Sequence, residues 1–262
     1  MGRNSKMDKR IGAQLFTIRE FMKTIEDFDA SCKKISEMGY KVVQISGTPL
    51  EAKPMKEVLD KYGLKCVVTH KPYEQFRDEL DYIIDYNKTL GCEVCGIGGY
   101  FWNGNTSKET LEEFLATIKV VCERFKEEGL YFGYHNHAHE FELIDGKPLL
   151  DHIIENTDAE RATFILDTCW VDFGGADVIE YINKLKNRIK VIHFKDYNGI
   201  VEETGRPDFS EIGNGCLDWD TIIKACEDTN VEFAVVEQDI CPADPFDSLK
   251  MSYDYLTTKG FI

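Results

Sequence analysis

No stretch of the 262-residue chain approaches the roughly 20 consecutive apolar residues that a membrane-spanning helix needs. The basic start at residues 1–6 has no apolar run behind it to make a secretory signal. Basic residues are in deficit, 31 against 47 aspartates and glutamates, for a net charge of −16 at pH 7. Nucleic-acid binding draws its affinity from cations that neutralise phosphates, so neither nucleic acid nor a membrane is expected as a partner. Proline is scarce at seven residues, and no low-complexity or Gly/Ser-rich tract divides the chain. Nine cysteines, an odd number scattered through apolar segments, fit a reducing cytoplasm better than a disulfide framework. The one C-x-x-C, formed by Cys92 and Cys95, leads into an expected strand and not a helix N-terminus. It therefore reads as buried apolar filler, not as a redox pair.

What the chain does show is alternation. Short apolar runs rich in β-branched residues recur at 11–16, 42–45, 66–69, 94–97, 131–134, 163–166, 190–194 and 233–236. Longer stretches with helical periodicity lie between them, such as 110–125, where Leu111, Phe114, Leu115, Ile118, Val121, Cys122 and Phe125 share one face. Gly39, Gly91 and Gly129 follow such stretches, where a left-handed C-cap is wanted. Eight strand–helix repeats in about 250 residues are the arithmetic of a closed (β/α)8 TIM barrel. A doubly wound open sheet would show a Gly-rich turn after its first strand, and residues 14–19 have none. The expectation is a leader over residues 1–9 and one α/β barrel domain over 10–262.

In such a barrel, chemistry sits where strands end and βα loops begin. Those positions hold Gln14, Arg19, Gln44, His70, Trp102, Asn103, the run His135-Asn136-His137-Ala138-His139-Glu140, Asp167, His193, Lys195, Glu237 and Gln238. Five of the six histidines fall there. Glu140, Asp167, His193 and Glu237 come from four consecutive strand ends and can converge on one point. Three carboxylates so placed repel one another unless a cation offsets them, and a mixed O/N donor set suits Mn, Mg, Co or Zn. Bland alternatives exist for each: Asp167 as a helix cap, His193 bonded to backbone, Glu237 paired with Lys195. His137 is assigned proton transfer, with its unperturbed pKa near neutrality, helped by Glu237 and Glu140. His135 contacts substrate or supports a ligand, His139 is solvated and His152 is structural. Gln44, His70, Trp102 and Lys195 are assigned to substrate, and so is Arg206 in the long 195–217 loop, as a clamp for a phosphate or carboxylate.

The segments Tyr134-His135-Asn136-His137-x-x-Glu140-Phe141, Leu166-Asp167-Thr168, Ile192-His193-Phe194-Lys195-Asp196 and Val236-Glu237-Gln238-Asp239 resemble the sugar phosphate isomerase/epimerase family. So do the loop Glu211-Ile212-Gly213-x-Gly215-Cys216-Leu217-Asp218-Trp219 and the first two strands, around Gln14 and Gln44. That family belongs to the xylose isomerase-like barrel superfamily, and the resemblance runs nearly end to end. It implies one divalent ion on Glu140, Asp167, His193 and Glu237, and a small sugar, keto-sugar or sugar phosphate as substrate. The implied reaction is isomerisation or epimerisation through a metal-stabilised enediolate. Relatives also dehydrate inososes or cleave keto-glycosides, so a lyase is the alternative, followed by a carbohydrate-binding protein without catalysis. Ketose epimerases carry a ligating Glu at the end of strand five; this chain has His there and its Glu five residues later, which gives His137 more weight. A cytoplasmic homodimer or homotetramer is compatible with such a barrel, and no segment marks an interface.

Overall fold

A computed structural model, which describes residues 7–102 and 106–262, closes eight short parallel strands into one barrel. They are β1 (Gly12–Gln14), β2 (Val42–Ile45), β3 (Lys65–His70) and β4 (Val94–Ile97). β5 (Tyr131–His135), β6 (Ala162–Asp167), β7 (Val191–Phe194) and β8 (Phe233–Val236) follow. Each strand pairs with its neighbours in sequence order, and β1 closes the ring on β8 with Gly12 opposite Val235. β1 is shorter than its apolar run. The Gln14 side chain accepts from Phe16 N at 3.2 Å and caps a 3-10 segment, Leu15–Phe21, which turns the chain out of the barrel.

The helices form as their periodicity requires. Lys108–Glu128 starts at the Ser107 cap and buries Leu111, Phe114, Ile118, Val121, Cys122 and Phe125. Gly39, Gly91 and Gly129 all take the left-handed conformation as C-caps. The core splits into two layers. One cluster of Val42, Val67, Val68, Val94, Ile165, Val191 and Val235 packs separately from the large helix-facing cluster. At Gly96 and Gly133 a Cβ would come within 2.7 Å of Ile165 Cδ1, so these two glycines leave the space that Ile165 fills. Strand side chains alternate between faces. The positions two residues beyond Val42, Ile165, Val191 and Val235 are Gln44, Asp167, His193 and Glu237, and Gly133 is followed in the same way by His135. Period-2 alternation therefore stacks the polar residues directly on the apolar plug, at the C-terminal end of the barrel.

The long connection after β7 is built, not irregular. It carries an antiparallel hairpin, Asp196–Val201 with Arg206–Ser210. Buried Asp196 gathers the segment behind it, accepting from Gly213 N at 3.0 Å, Gly215 N at 3.2 Å and Trp219 Nε1 at 2.6 Å. Residues 7–9, inside the stretch read as a leader, are tied to the barrel. Met7 is buried, Asp8 N donates to Glu232 O at 2.8 Å, and Ile262 N donates to Lys9 O at 2.7 Å. Among the described residues no helix is long and apolar enough to cross a membrane.

Candidate active site

His135, Asp167, His193 and Glu237 each place a donor atom within 4.8 Å of the others, and all four are buried. Three of them were expected together; the fourth is a correction. Glu140 is buried elsewhere, accepting from Tyr134 Oη at 2.7 Å and from His137 N at 2.7 Å. The reason is local. β5 runs one residue further than its apolar pattern, so alternation turns His135 inward, and the chain then leaves the barrel at His137. Glu140 lies in the 3-10 turn Ala138–Phe141 and folds back to close it.

Surrounding groups fix how the two imidazoles present themselves. His135 Nδ1 lies 3.1 Å from the Ile165 carbonyl oxygen, which only accepts, so its proton sits there and Nε2 keeps the lone pair. His193 Nε2 lies 2.8 Å from Gln44 Oε1, and its Nδ1 faces Glu237 Oε2 at 3.0 Å and Asp167 Oδ2 at 3.7 Å. Burial pushes His135 down to about 4. Burial also opposes charge on His193, but Glu237 and Asp167 outweigh it and push that group up to about 9.

Lys195, only 1% exposed, lies beneath the cluster, 2.8 Å from Asp239, 3.2 Å from Glu237 and 3.6 Å from Asp167. Burial disfavours its charge, yet those carboxylates hold its pKa well above the usual lysine value. Glu237 stays ionised despite burial because Lys195 and His193 face it.

The donor set fits a divalent cation on two counts. Asp167 Oδ1 caps the following helix by accepting from Trp170 N at 3.0 Å, so the cap role is real, but buried Oδ2 has no hydrogen-bond partner. Three carboxylates, Asp167, Glu237 and Asp239, face the Lys195 ammonium and a His193 that is protonated without metal; a divalent ion would displace that proton and balance the two negative charges then left. The residues that would hold it are His135, Asp167, His193 and Glu237.

Two residues assigned to substrate are corrected. Gln44 is fully buried behind His193, and Lys195 is buried under the acids; neither lines the cavity. Both attract polar groups of the protein itself, which is why strand-end position alone misassigned them. Gln44→Leu, of similar size, is expected to weaken divalent-metal affinity about 10–100-fold by freeing the His193 tautomer. Competition with a chelating dye measures this, and an unchanged constant removes Gln44 from that role.

His70, Trp102, His135, His137, Glu237 and Asp239 do line an inner chamber of about 440 Å³ above the donors. Arg206 lines an adjoining outer chamber, as do His137 and His139. Asn103 lies outside the described residues. His137 packs against Trp102 and Trp170, with ring centroids 4.5 and 5.4 Å away, and burial holds its pKa well below the usual value. His152 is structural, its Nε2 2.9 Å from the Ile144 carbonyl oxygen. Cys92 and Cys95 are buried thiols, and burial pushes Cys95 up to about 12. Asp239 and Trp170 went unassigned. Asp239 stands two residues beyond Glu237, so the same alternation could have found it.

A family model described as xylose isomerase-like TIM barrel matches residues 32–250, and the chain belongs to that family. Among curated relatives, the inosose dehydratase of Clostridium beijerinckii is 24% identical over 275 residues, covering 89% of this chain and 90% of its own. A sugar phosphate isomerase/epimerase structure from Parabacteroides distasonis superposes with a TM-score of 0.82 at 20% identity, covering 98% of this chain and 96% of that one. The probable 3-DHS dehydratase of petrobactin synthesis from Bacillus anthracis gives 0.72 at 16% identity, with 95% and 98% covered. At such identities the structural likeness is one of fold.

Proposed function

We propose that the chain is a divalent-metal-dependent lyase that dehydrates a small polyhydroxylated ketone of the keto-sugar or inosose type. The observation that carries it is His137: a half-buried imidazole at the cavity wall, held neutral, with a buried Nδ1 that has no hydrogen-bond partner. The carboxylates nearby are already engaged, Asp167 and Glu237 at the donor cluster and Asp239 on Lys195. A bound divalent ion would polarise the ketone oxygen and stabilise the negative charge that develops beside it. His137 takes the α-proton and returns it to the departing β-hydroxyl, which leaves as water. Among the described residues lining the inner chamber, the carboxylates are Glu237 and Asp239, both just beyond β8, so none from another strand is placed there to reprotonate carbon from the other side. The inosose dehydratase name of the curated relative supports the same choice.

Isomerisation is the second reading, because a lone base can also return the proton to the neighbouring carbon. Proton NMR in D2O with Mn-loaded protein separates the two, run against inososes, ketoses and their phosphates. Loss of water from a keto-ring is the expected result; deuterium exchange or aldose formation without it overturns the lyase. In the same assay His137→Gln is expected to lose about 10²–10⁴-fold in kcat while retaining metal. Undiminished turnover in that variant moves the base elsewhere.

A further inference from the structure

The chain has a net charge of −16, yet the N-terminal mouth of the barrel, opposite the candidate active site, is basic. Arg10, Lys41, Lys65, Arg161 and Lys190 stand at or within two residues of the starts of β1, β2, β3, β6 and β7. Four of these side chains converge on two rings. Tyr131 and Phe233, the first residues of β5 and β8, pack against the valine-rich plug. Arg10 Cζ and Lys65 Nζ lie 6.0 and 5.0 Å from the Phe233 ring centre. Arg161 Cζ and Lys190 Nζ lie 5.0 and 4.1 Å from that of Tyr131.

A ring face attracts a cation but leaves its charge in place. Two of the charges are cancelled: Arg10 pairs with Asp8 at 2.5 Å and Lys190 with Glu232 at 2.8 Å. Lys41, Lys65 and Arg161 have no ion pair among the described residues. The acids next to Arg161 in sequence are engaged elsewhere. Asp158 Oδ1 accepts from Glu160 N at 2.7 Å and Arg161 N at 2.9 Å, and Glu160 faces Lys126 at 3.7 Å. Within the Arg161 guanidinium, Nη1 donates to the Leu130 carbonyl oxygen at 3.5 Å, while Nε is buried without a hydrogen-bond partner. Like charges gathered in this way repel, and an unpaired buried donor calls for an acceptor.

We propose that this mouth is an anion site, separate from the candidate active site, and that its ligand is an oligophosphate. The uncompensated cations enter on β2, β3 and β6, so they span the mouth. A single phosphate meets some of them; a phosphate chain carries a negative charge to each. Arg161, with Nη1 held and Nε unpartnered, supplies the planar fork that takes two phosphate oxygens at once. A free oligophosphate and the tail of a nucleotide offer the same chemistry.

Calorimetry on the whole protein, without added divalent metal, tests it. The probes are orthophosphate, pyrophosphate, tripolyphosphate and ATP. One tripolyphosphate is expected to bind per chain, about tenfold or more tighter than orthophosphate. ATP binding as well as tripolyphosphate marks a nucleotide as an accepted source; weaker ATP binding marks the free phosphate chain. Arg161→Gln is expected to weaken tripolyphosphate about tenfold. Lys65→Gln, at an exposed position where packing is untouched, is expected to weaken it about threefold. Arg206→Gln, at the opposite end of the barrel, is expected to leave it unchanged. Absence of saturable binding overturns the site, as does equal affinity for orthophosphate and tripolyphosphate. Binding that both mouth variants retain, or that Arg206→Gln abolishes, also overturns it, because the anion then lies elsewhere. Should Arg161→Gln fail to fold, the exposed charge reversal Lys65→Glu is expected to cut binding about tenfold, and full binding in that variant ends the proposal.

Discussion

Asp167→Asn is expected to release the divalent metal and to lower kcat/KM at least about a thousandfold, since a metal's charge stabilisation is worth several kcal/mol and each 1.4 kcal/mol is tenfold. Asp167 has two tasks on two oxygens: Oδ1 caps the helix after β6, and Oδ2 is the unpartnered donor in the cluster. The asparagine keeps a cap of nearly equal quality and removes the charge, so fold and metal can be read separately. In the native protein, metal at a hundred times its Kd adds about 2.7 kcal/mol of stability, visible as a rise in Tm that a chelator reverses. The variant should keep the metal-free Tm and lose the rise. Glu140→Gln is the contrast. Its carboxylate serves Tyr134 and His137, so bound metal by elemental analysis should stay at the native level. An Asp167→Asn protein that still holds stoichiometric metal would end the assignment of this cluster.

The contrast between Asp167 and Glu140 also shows what the sequence could and could not disclose. Eight apolar runs with the right spacing gave the barrel, and three of the four cluster donors, because a strand end is an inward-facing position whenever the alternation is intact. Asp167, His193 and Glu237 each follow an inward apolar residue two places earlier, and that relation is visible in the letters. Strand five hid its donor for the same reason that it revealed three histidines. In a run of His135, His137, His139 and Glu140, only the point where the backbone leaves the barrel decides which group faces in, and propensity does not fix that point to one residue. A carboxylate looked like the natural partner for two other carboxylates, but charge balance is set across the whole cluster, and Lys195 already supplies one cation. Gln44 was misassigned through a similar blindness. A polar strand-end side chain turns to substrate or to a neighbouring histidine according to contacts 149 residues apart in sequence. Nor could the outer chamber be foreseen, since its walls come from 3-10 turns, the 206–210 hairpin strand and a short helix.

Lys195→Met is expected to destabilise the metal-free protein by about 3–5 kcal/mol, the usual cost of removing one partner from a buried ion pair, and so to lower Tm on the order of 10 °C. The lysine is 1% exposed and lies within 3.6 Å of Asp167, Glu237 and Asp239. Met fills much the same volume, so the loss isolates the charge from the packing. Its pH dependence has a definite sign. The pKa of Lys195 is held above its ordinary value because the three carboxylates outweigh burial. The stability it gives is therefore complete below the unfolded value near 10.4, and is lost only as pH climbs through the higher folded value. At pH 7–8 the native protein has all of it and the variant has none. In the variant, acids left facing one another favour protonation on folding, so the deficit should shrink as pH falls toward about 4. Added divalent metal should recover part of it at neutral pH, through the same uncompensated charge. Urea denaturation at pH 5 and pH 8, with and without metal, measures all three effects. Native-like stability of the metal-free variant at pH 8 would show that the acids are not ionised together, and would remove the charge argument for a cation at this site.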